Sequence, residues 1–262
     1  MDLQLTNKTA LVTGSTAGIG LAIAQRLAAE GARVIITGRT EARLNEAKAA
    51  ILQQTPQADV RGVAVDFGKV DEVNRLLQAV PRVDILVNNV GIFDPKPFAE
   101  IPDAEWLHFF EVNVLSGVRL ARQYFPLMLA ANWGRILFIS SESALQIPAE
   151  MIQYGTTKTA QLAVARGLAE LTKGTGVTVN SVLPGPTASE GVEGFLEKMS
   201  GGKSREAAEK EFFEQARPSS LLQRFATPAE VANMVAYLCS PLASATNGAS
   251  VRVDGGVVRS IG

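Results

Sequence analysis

Thr9-Ala-Leu-Val-Thr13-Gly14-Ser15-Thr16-Ala17-Gly18-Ile19-Gly20, running directly into Leu21-Ala-Ile-Ala-Gln-Arg-Leu-Ala-Ala-Glu30, decides the fold. A short apolar run of strand character meets a glycine-rich turn and then an Ala- and Leu-rich run of helix formers. Glycines at such a junction permit a tight turn and let backbone N–H groups approach a pyrophosphate at the helix N-terminus, where the dipole favours anions. Gly14, Ser15, Thr16, Gly18, Ile19 and Gly20 are therefore a candidate dinucleotide-binding turn. Three residues separate its first two glycines, which differs from the G-x-G-x-x-G spacing and points to a particular branch of the fold.

Outward from this unit, short apolar runs alternate with longer amphipathic stretches to the end of the chain. Strands are expected near Thr9 to Thr13, Arg33 to Thr37, Val60 to Val65, Val83 to Asn88, Arg135 to Ser140, Val177 to Val182 and Ser250 to Val253, with helices between them. Several of these runs are almost wholly apolar, as strands covered on both faces must be. The expectation is an α/β, doubly wound (Rossmann-type), seven-stranded parallel sheet with helices on both faces, forming a single domain over 1–262. Residues 187–220 are irregular and carry Phe195, Leu196, Met199, Phe212 and Phe213, so a helical substrate lid is expected there.

Composition narrows the class of function. The 25 basic and 26 acidic residues nearly balance, so no global field favours nucleic acid or an anionic membrane, and small molecules are the expected ligands. A single cysteine, Cys239, excludes an internal disulfide, and with a single histidine a metal site would have to rest on carboxylates. No segment approaches 18 uninterrupted apolar residues and no leader pattern opens the chain, which leads to the expectation of a soluble cytoplasmic protein.

At the end of the second strand, where a carboxylate would accept the ribose hydroxyls of NAD, stand Thr37, Gly38 and Arg39. Arg39 is suited to clamp the extra phosphate of NADP through its planar fork, with Thr40 as an added hydroxyl. NADP(H) is thus favoured, and NAD(H) stays open. Asp66, with Phe67 beside it, follows the third strand and is placed to accept from the adenine amino group, while Asn89, Val90 and Gly91 close the fourth.

After the fifth strand come Ser140 and Ser141, then Tyr154 and Lys158 four residues apart, hence on one face if helical. A cation near the phenol favours the phenolate. A pKa fall of roughly three units would take about 4 kcal/mol of differential stabilisation and make Tyr154 an acid/base usable near neutral pH. Gly14, Arg39, Asp66, Asn89, Ser141 and Pro184 all follow the C-terminal ends of expected parallel strands, the edge where open α/β sheets bind ligands.

Taken together, the glycine turn, the NNVG segment, Asn113, Ser141, Tyr154-x-x-x-Lys158 and the Pro184-Gly185 turn resemble, in this order and over essentially the whole chain, the short-chain dehydrogenase/reductase family. The resemblance implies Ser141 as the group orienting a substrate carbonyl and Tyr154 as proton donor or acceptor. It implies that Lys158 holds the nicotinamide ribose and lowers the Tyr154 pKa, and that Asn113 supports a water-linked proton path. Pro184, Gly185 and Thr187 would pass the nicotinamide carboxamide, and no metal is required. Val90 replaces the alanine usual in this segment, and Ala17 stands where NADP-preferring members often carry a basic residue.

The implied function is NAD(P)-dependent interconversion of a carbonyl and an alcohol. Members that receive an acyl carrier protein tend to carry arginines where this chain has Asn132 and Thr175, which demotes a 3-oxoacyl-carrier-protein reductase. A partly apolar ketone fits the lid's phenylalanines better. A non-catalytic NADP-binding regulator would have no need of Ser141, Tyr154 and Lys158 together. A methyltransferase usually lacks the Tyr-Lys pair, and a nucleotide-sugar epimerase usually needs a longer C-terminal substrate domain. The resemblance also implies a homotetramer or homodimer, packed through helices expected over Asp103 to Ala130 and Gln153 to Lys173.

Overall fold

The computed structural model describes residues 1–189 and 204–261. Seven parallel strands, β1 (Thr9–Val12), β2 (Arg33–Gly38), β3 (Val60–Ala64), β4 (Ile85–Asn88), β5 (Gly134–Ile139), β6 (Val177–Pro184) and β7 (Ser250–Val253), form one sheet in the order β3-β2-β1-β4-β5-β6-β7. The chain winds outward from β1 to β3, then returns to place β4 on the other side of β1. That reversal opens a crevice at the C-terminal ends of the strands beside β1.

Side-chain alternation explains why β1 reads as unbroken apolar sequence after Thr9. Ala10 and Val12 pack into a core with α1 (Gly18–Ala29), α2 (Glu41–Gln54) and α8 (Pro228–Cys239). Leu11 packs into a second core on the opposite face with α3 (Val70–Ala79), α5 (Ser116–Ala130) and α6 (Ile152–Glu170). Both faces are dry from Ala10 to Val12, so none of these three positions favours a polar residue.

The helix expected over Asp103 to Ala130 is not continuous. It comprises α4 (Asp103–Phe110), a π-helical turn over Glu111–Leu115 and α5, and Asn113 lies in the widened turn. Propensity and periodicity carry no signal for a single extra residue in a helical turn, although such turns are frequent at functional sites.

Within the expected lid, α7 (Arg205–Gln215) begins at Ser204, whose hydroxyl accepts from the Ala207 amide at 3.3 Å. Phe212, Phe213 and Phe225 form an aromatic cluster with centroids 5.0–5.2 Å apart. Thr187 pairs with Ala226 in an isolated parallel bridge, so the two ends of this excursion meet at its base. Phe195, Leu196 and Met199 lie outside the described residues.

Candidate active site

The glycine turn is built as the sequence requires. Gly14 and Gly18 have φ of 61° and 55°, a region that side chains with a Cβ avoid, and a Cβ on Gly20 would lie 2.3 Å from the Gly14 carbonyl oxygen. The turn is stitched to its neighbours. The Gly14 amide donates to Thr37 Oγ1 at 3.0 Å, and Asn89 Nδ2 donates to the Thr13 and Gly14 carbonyls at 2.9 and 3.1 Å. Ala17, at the N-cap of α1, supplies no side-chain acceptor, so the first-turn N–H groups of that helix have no side-chain cap. An uncapped helix start behind a rigid glycine turn fits the phosphates of a dinucleotide.

The catalytic candidates lie in the same cleft, which holds about 620 Å³ and is lined by Ile19, Asn89, Gly91, Ser141, Tyr154 and Lys158 among others. Pro184, Gly185 and Thr187 line it from the end of β6. Ser140 and Ser141 are separated by their bonds. The Ser140 hydroxyl donates to the Lys158 carbonyl at 2.9 Å and ties β5 to α6, whereas Ser141 Oγ donates to Glu142 Oε2 at 2.7 Å at the cleft wall. Lys158 Nζ, 5.5 Å from the Tyr154 ring centroid, donates to the Ile139 carbonyl at 2.9 Å. A Cβ on Gly91 would come within 3.2 Å of that ammonium, so glycine leaves space where the cation meets the cleft.

The family model described as short chain dehydrogenase matches residues 8–199. The chain is a short-chain dehydrogenase/reductase. It is 51% identical to the uncharacterized oxidoreductase YvaG of Bacillus subtilis, covering 100% of both chains. It is 33% identical to the 3-oxoacyl-[acyl-carrier-protein] reductase FabG of Aquifex aeolicus, over 98% of this chain and 100% of that one. A crystal structure of L-sorbose reductase from Gluconobacter frateurii, complexed with NADPH and L-sorbose, superposes with a TM-score of 0.93 at 31% identity and covers 100% of both chains.

Several side chains of this short-chain dehydrogenase/reductase differ from their expected surroundings. Ser15 is fully buried; its hydroxyl donates to the Val12 carbonyl at 2.7 Å and accepts from the Thr37 amide at 2.9 Å, and its own amide donates to the Thr37 carbonyl at 2.9 Å, so it braces the turn against β2. Thr40 Oγ1 caps α2 by accepting from the Arg43 amide at 3.4 Å. The Phe67 ring packs in the core on the α3 and α5 face of the sheet. Asp66 Oδ1 accepts from the Gly68 amide at 3.0 Å, and Oδ2 stands 3.8 Å from Lys69 Nζ. Val90 packs beside the glycine turn, its Cγ2 only 2.9 Å from where a Cβ on Gly14 would stand. Arg39 is exposed at the end of β2, with Thr16 packed against the neighbouring Gly38.

Asn113 is buried and its side chain is fully engaged. Oδ1 accepts from the Ile92 amide at 2.7 Å, and Nδ2 donates to the Ile92 carbonyl and to Thr157 Oγ1, both at 3.0 Å. It clamps the π-helical turn to the segment after β4 and to α6. Thr187 Oγ1 donates to the Gly185 carbonyl at 2.9 Å. Phe213 turns away from the cleft into the aromatic cluster, while Phe212 lines it.

The expected fall in the Tyr154 pKa is reversed in this geometry. Burial raises the phenol above its ordinary value, the Ser141 hydroxyl opposes the rise, Glu142 adds to it and Arg217 partly offsets it. The Lys158 ammonium donates to the Ile139 carbonyl, and burial brings its own pKa down to about 7. The phenol is therefore held in its protonated form, the state a proton donor needs.

Two residues at the site escaped the sequence reading. Glu142 and Arg217 are both buried, and Arg217 Nε donates to Glu142 Oε1 at 2.9 Å across 75 positions of chain. Glu142 was recoverable in part, because it follows Ser141 directly in a segment of almost no other charge. Arg217 carried no signal, since only the tertiary fold brings the segment after α7 to the end of β5.

Proposed function

We propose that this enzyme interconverts a ketone or aldehyde with the corresponding alcohol, using NADP(H) in preference to NAD(H). The observation that carries the reading is the convergence of Ser141, Tyr154 and Lys158 with Ile19 of the glycine turn on one cleft at the C-terminal edge of the sheet. When bound, the nicotinamide supplies or accepts the hydride. The residues assigned to the cofactor are the turn Gly14, Ser15, Thr16, Gly18, Ile19 and Gly20, then Arg39 and Thr40, Asp66 and Phe67, Asn89, Val90 and Gly91, Tyr154 and Lys158, and Pro184, Gly185 and Thr187. Ser141 orients the carbonyl oxygen and Tyr154 delivers the proton to it. Asn113 acts through the placement of the segment after β4 and of α6. NADPH and NADH consumption over a panel of neutral ketones and aldehydes tests the reading, and no turnover of any of them with either nucleotide would overturn it.

The NADP preference rests on Arg39, an exposed guanidinium for which no carboxylate partner stands among the described residues. Arg39→Asp is expected to weaken NADP binding by about 10- to 100-fold, the worth of a charge-assisted hydrogen bond, while changing NAD binding by much less. Equal loss for both nucleotides, measured by fluorescence titration, would remove the assignment.

A 3-oxoacyl-carrier-protein reductase is the second reading, supported by the FabG relative. Against it, Asn132 and Thr175 bring no positive charge to an acidic carrier, and Asn132 Oδ1 is engaged with the Gly176 amide at 2.9 Å.

Assembly as a homotetramer, or a homodimer, is supported by Leu107, Leu127 and Leu171, exposed on α4, on α5 and at the end of α6. No helix among the described residues is long and apolar enough to cross a membrane. Light scattering is expected to give four times, or twice, the 27.8 kDa chain mass, and a monomer at micromolar concentration would sink this part.

A further inference from the structure

Hydride and proton transfer leave Glu142 without a task, although it sits in the wall of the cleft beside Ser141. Its carboxylate is buried, and both oxygens are engaged. Oε1 accepts from Arg217 Nε at 2.9 Å, and Oε2 accepts from the hydroxyls of Ser141 at 2.7 Å and Ser143 at 2.5 Å. A carboxylate tolerates such burial only when donors replace the water it has lost. A serine hydroxyl carries one hydrogen. While that of Ser141 points at Glu142, it cannot also be given to a substrate carbonyl. When Ser141 turns to the carbonyl, Glu142 Oε2 is left one donor short.

We propose that Glu142 selects carbonyl substrates bearing a hydroxyl on the carbon next to the C=O group, that hydroxyl taking over the hydrogen bond which Ser141 withdraws. The exchange conserves donors: Ser141 gives its hydrogen to the carbonyl oxygen, and the substrate gives one to Oε2. A plain ketone has nothing to offer and leaves Oε2 with Ser143 as its one remaining donor of the two. A carboxylate substituent fares worse. Arg217 in the cleft wall is already engaged by Glu142 and lies 3.7 Å from Glu150 Oε1, so an anion approaching it meets a compensated guanidinium and a like charge. This inference rests on the hydride-transfer reading above. The carbonyl carbon receives the hydride and its oxygen a proton from Tyr154, NADPH becomes NADP+, and the product is a vicinal diol; Glu142 exchanges neither electrons nor protons.

Hydroxyacetone and acetone differ by the one hydroxyl in question. For the wild-type enzyme, kcat/KM with NADPH is expected to favour hydroxyacetone at least about tenfold, equivalent to about 1.4 kcal/mol. Dissociation constants on the enzyme–NADP+ complex, where no hydride is available, are expected to follow the same order. In Glu142→Gln the amide oxygen stays with Arg217 and the NH2 group, a donor, faces the serines, so the preference is expected to fall within about threefold. A merely structural role would lower both substrates together and leave their ratio unchanged. A wild-type preference below about twofold overturns the proposal without recourse to any variant, as does an unaltered ratio in Glu142→Gln. Failure of both ketones, and of every other carbonyl compound, to consume NADPH or NADH would overturn hydride transfer instead, and the ratio of dissociation constants would still decide the role of Glu142.

Discussion

Tyr154→Phe is expected to lower kcat by roughly 10²- to 10⁴-fold, the usual worth of a positioned proton donor, with little change in nucleotide affinity. The substitution removes one oxygen and keeps the ring, whose edge-on contact with Phe93 at 6.2 Å is preserved. Because both directions cross one transition state, the loss in kcat/KM is expected to be of the same size for carbonyl reduction and for alcohol oxidation. Steady-state rates for both directions, together with the thermal midpoint of the variant, make the comparison. Full turnover in a normally folded Tyr154→Phe enzyme would assign the proton to another group.

Lys158→Met is expected to cost a similar factor in activity while changing how stability responds to pH. Burial depresses the Lys158 pKa from 10.5 to about 7, with a neutral carbonyl as the hydrogen-bond partner of its ammonium among the described residues. Below pH 7 the ammonium is charged in both the folded and unfolded chains. Between about 7 and 10.5 the unfolded chain keeps the proton and the folded chain does not, so the unfolded state binds more protons and stability rises with pH. This contribution is complete above 10.5 and is lost as pH falls through 7. Over pH 7 to 9 the linkage amounts to about 2 kcal/mol, which the wild-type protein is expected to gain and Lys158→Met to lack. Urea unfolding of both proteins across that range measures the difference. Parallel pH dependences would show that the ammonium is better solvated, or better paired, than its burial implies.

Strand positions were legible because a strand covered on both faces is mostly apolar, and β4 and β5 break that pattern only at Asn88 and Arg135. Their ends moved by a residue or two, where the ladder outlasts the apolar run, as in β6, which continues through Pro184. The glycine turn and the Tyr-Lys pair were legible because local geometry alone fixes their spacing. The π-helical turn around Asn113 was hidden, since an extra residue in one helical turn leaves the apolar pattern on either side in phase with a helix. The Lys158 environment was hidden for another reason. Sequence spacing puts a cation beside a phenol but cannot tell that the Ile139 carbonyl competes for it, nor that burial removes the charge's solvation. Glu142 and Arg217 depend on a contact 75 residues long in sequence, beyond the reach of any local pattern.

The pairing of Thr187 with Ala226 is reinforced by amide bonds from Ala188 to the Ala226 carbonyl at 2.8 Å and from Ala226 to the Pro186 carbonyl at 2.9 Å. Chain between two points clasped in this way can lengthen or shorten at small entropic cost, since closure entropy grows only with the logarithm of length. Insertions, deletions or grafts between Ala188 and Phe225 that keep Arg217, the partner of Glu142, can thus re-tailor what the cleft admits, while Ser141, Tyr154 and Lys158 stay anchored elsewhere. Chimaeras that exchange this segment among relatives are a direct route to new substrate ranges on an unaltered sheet.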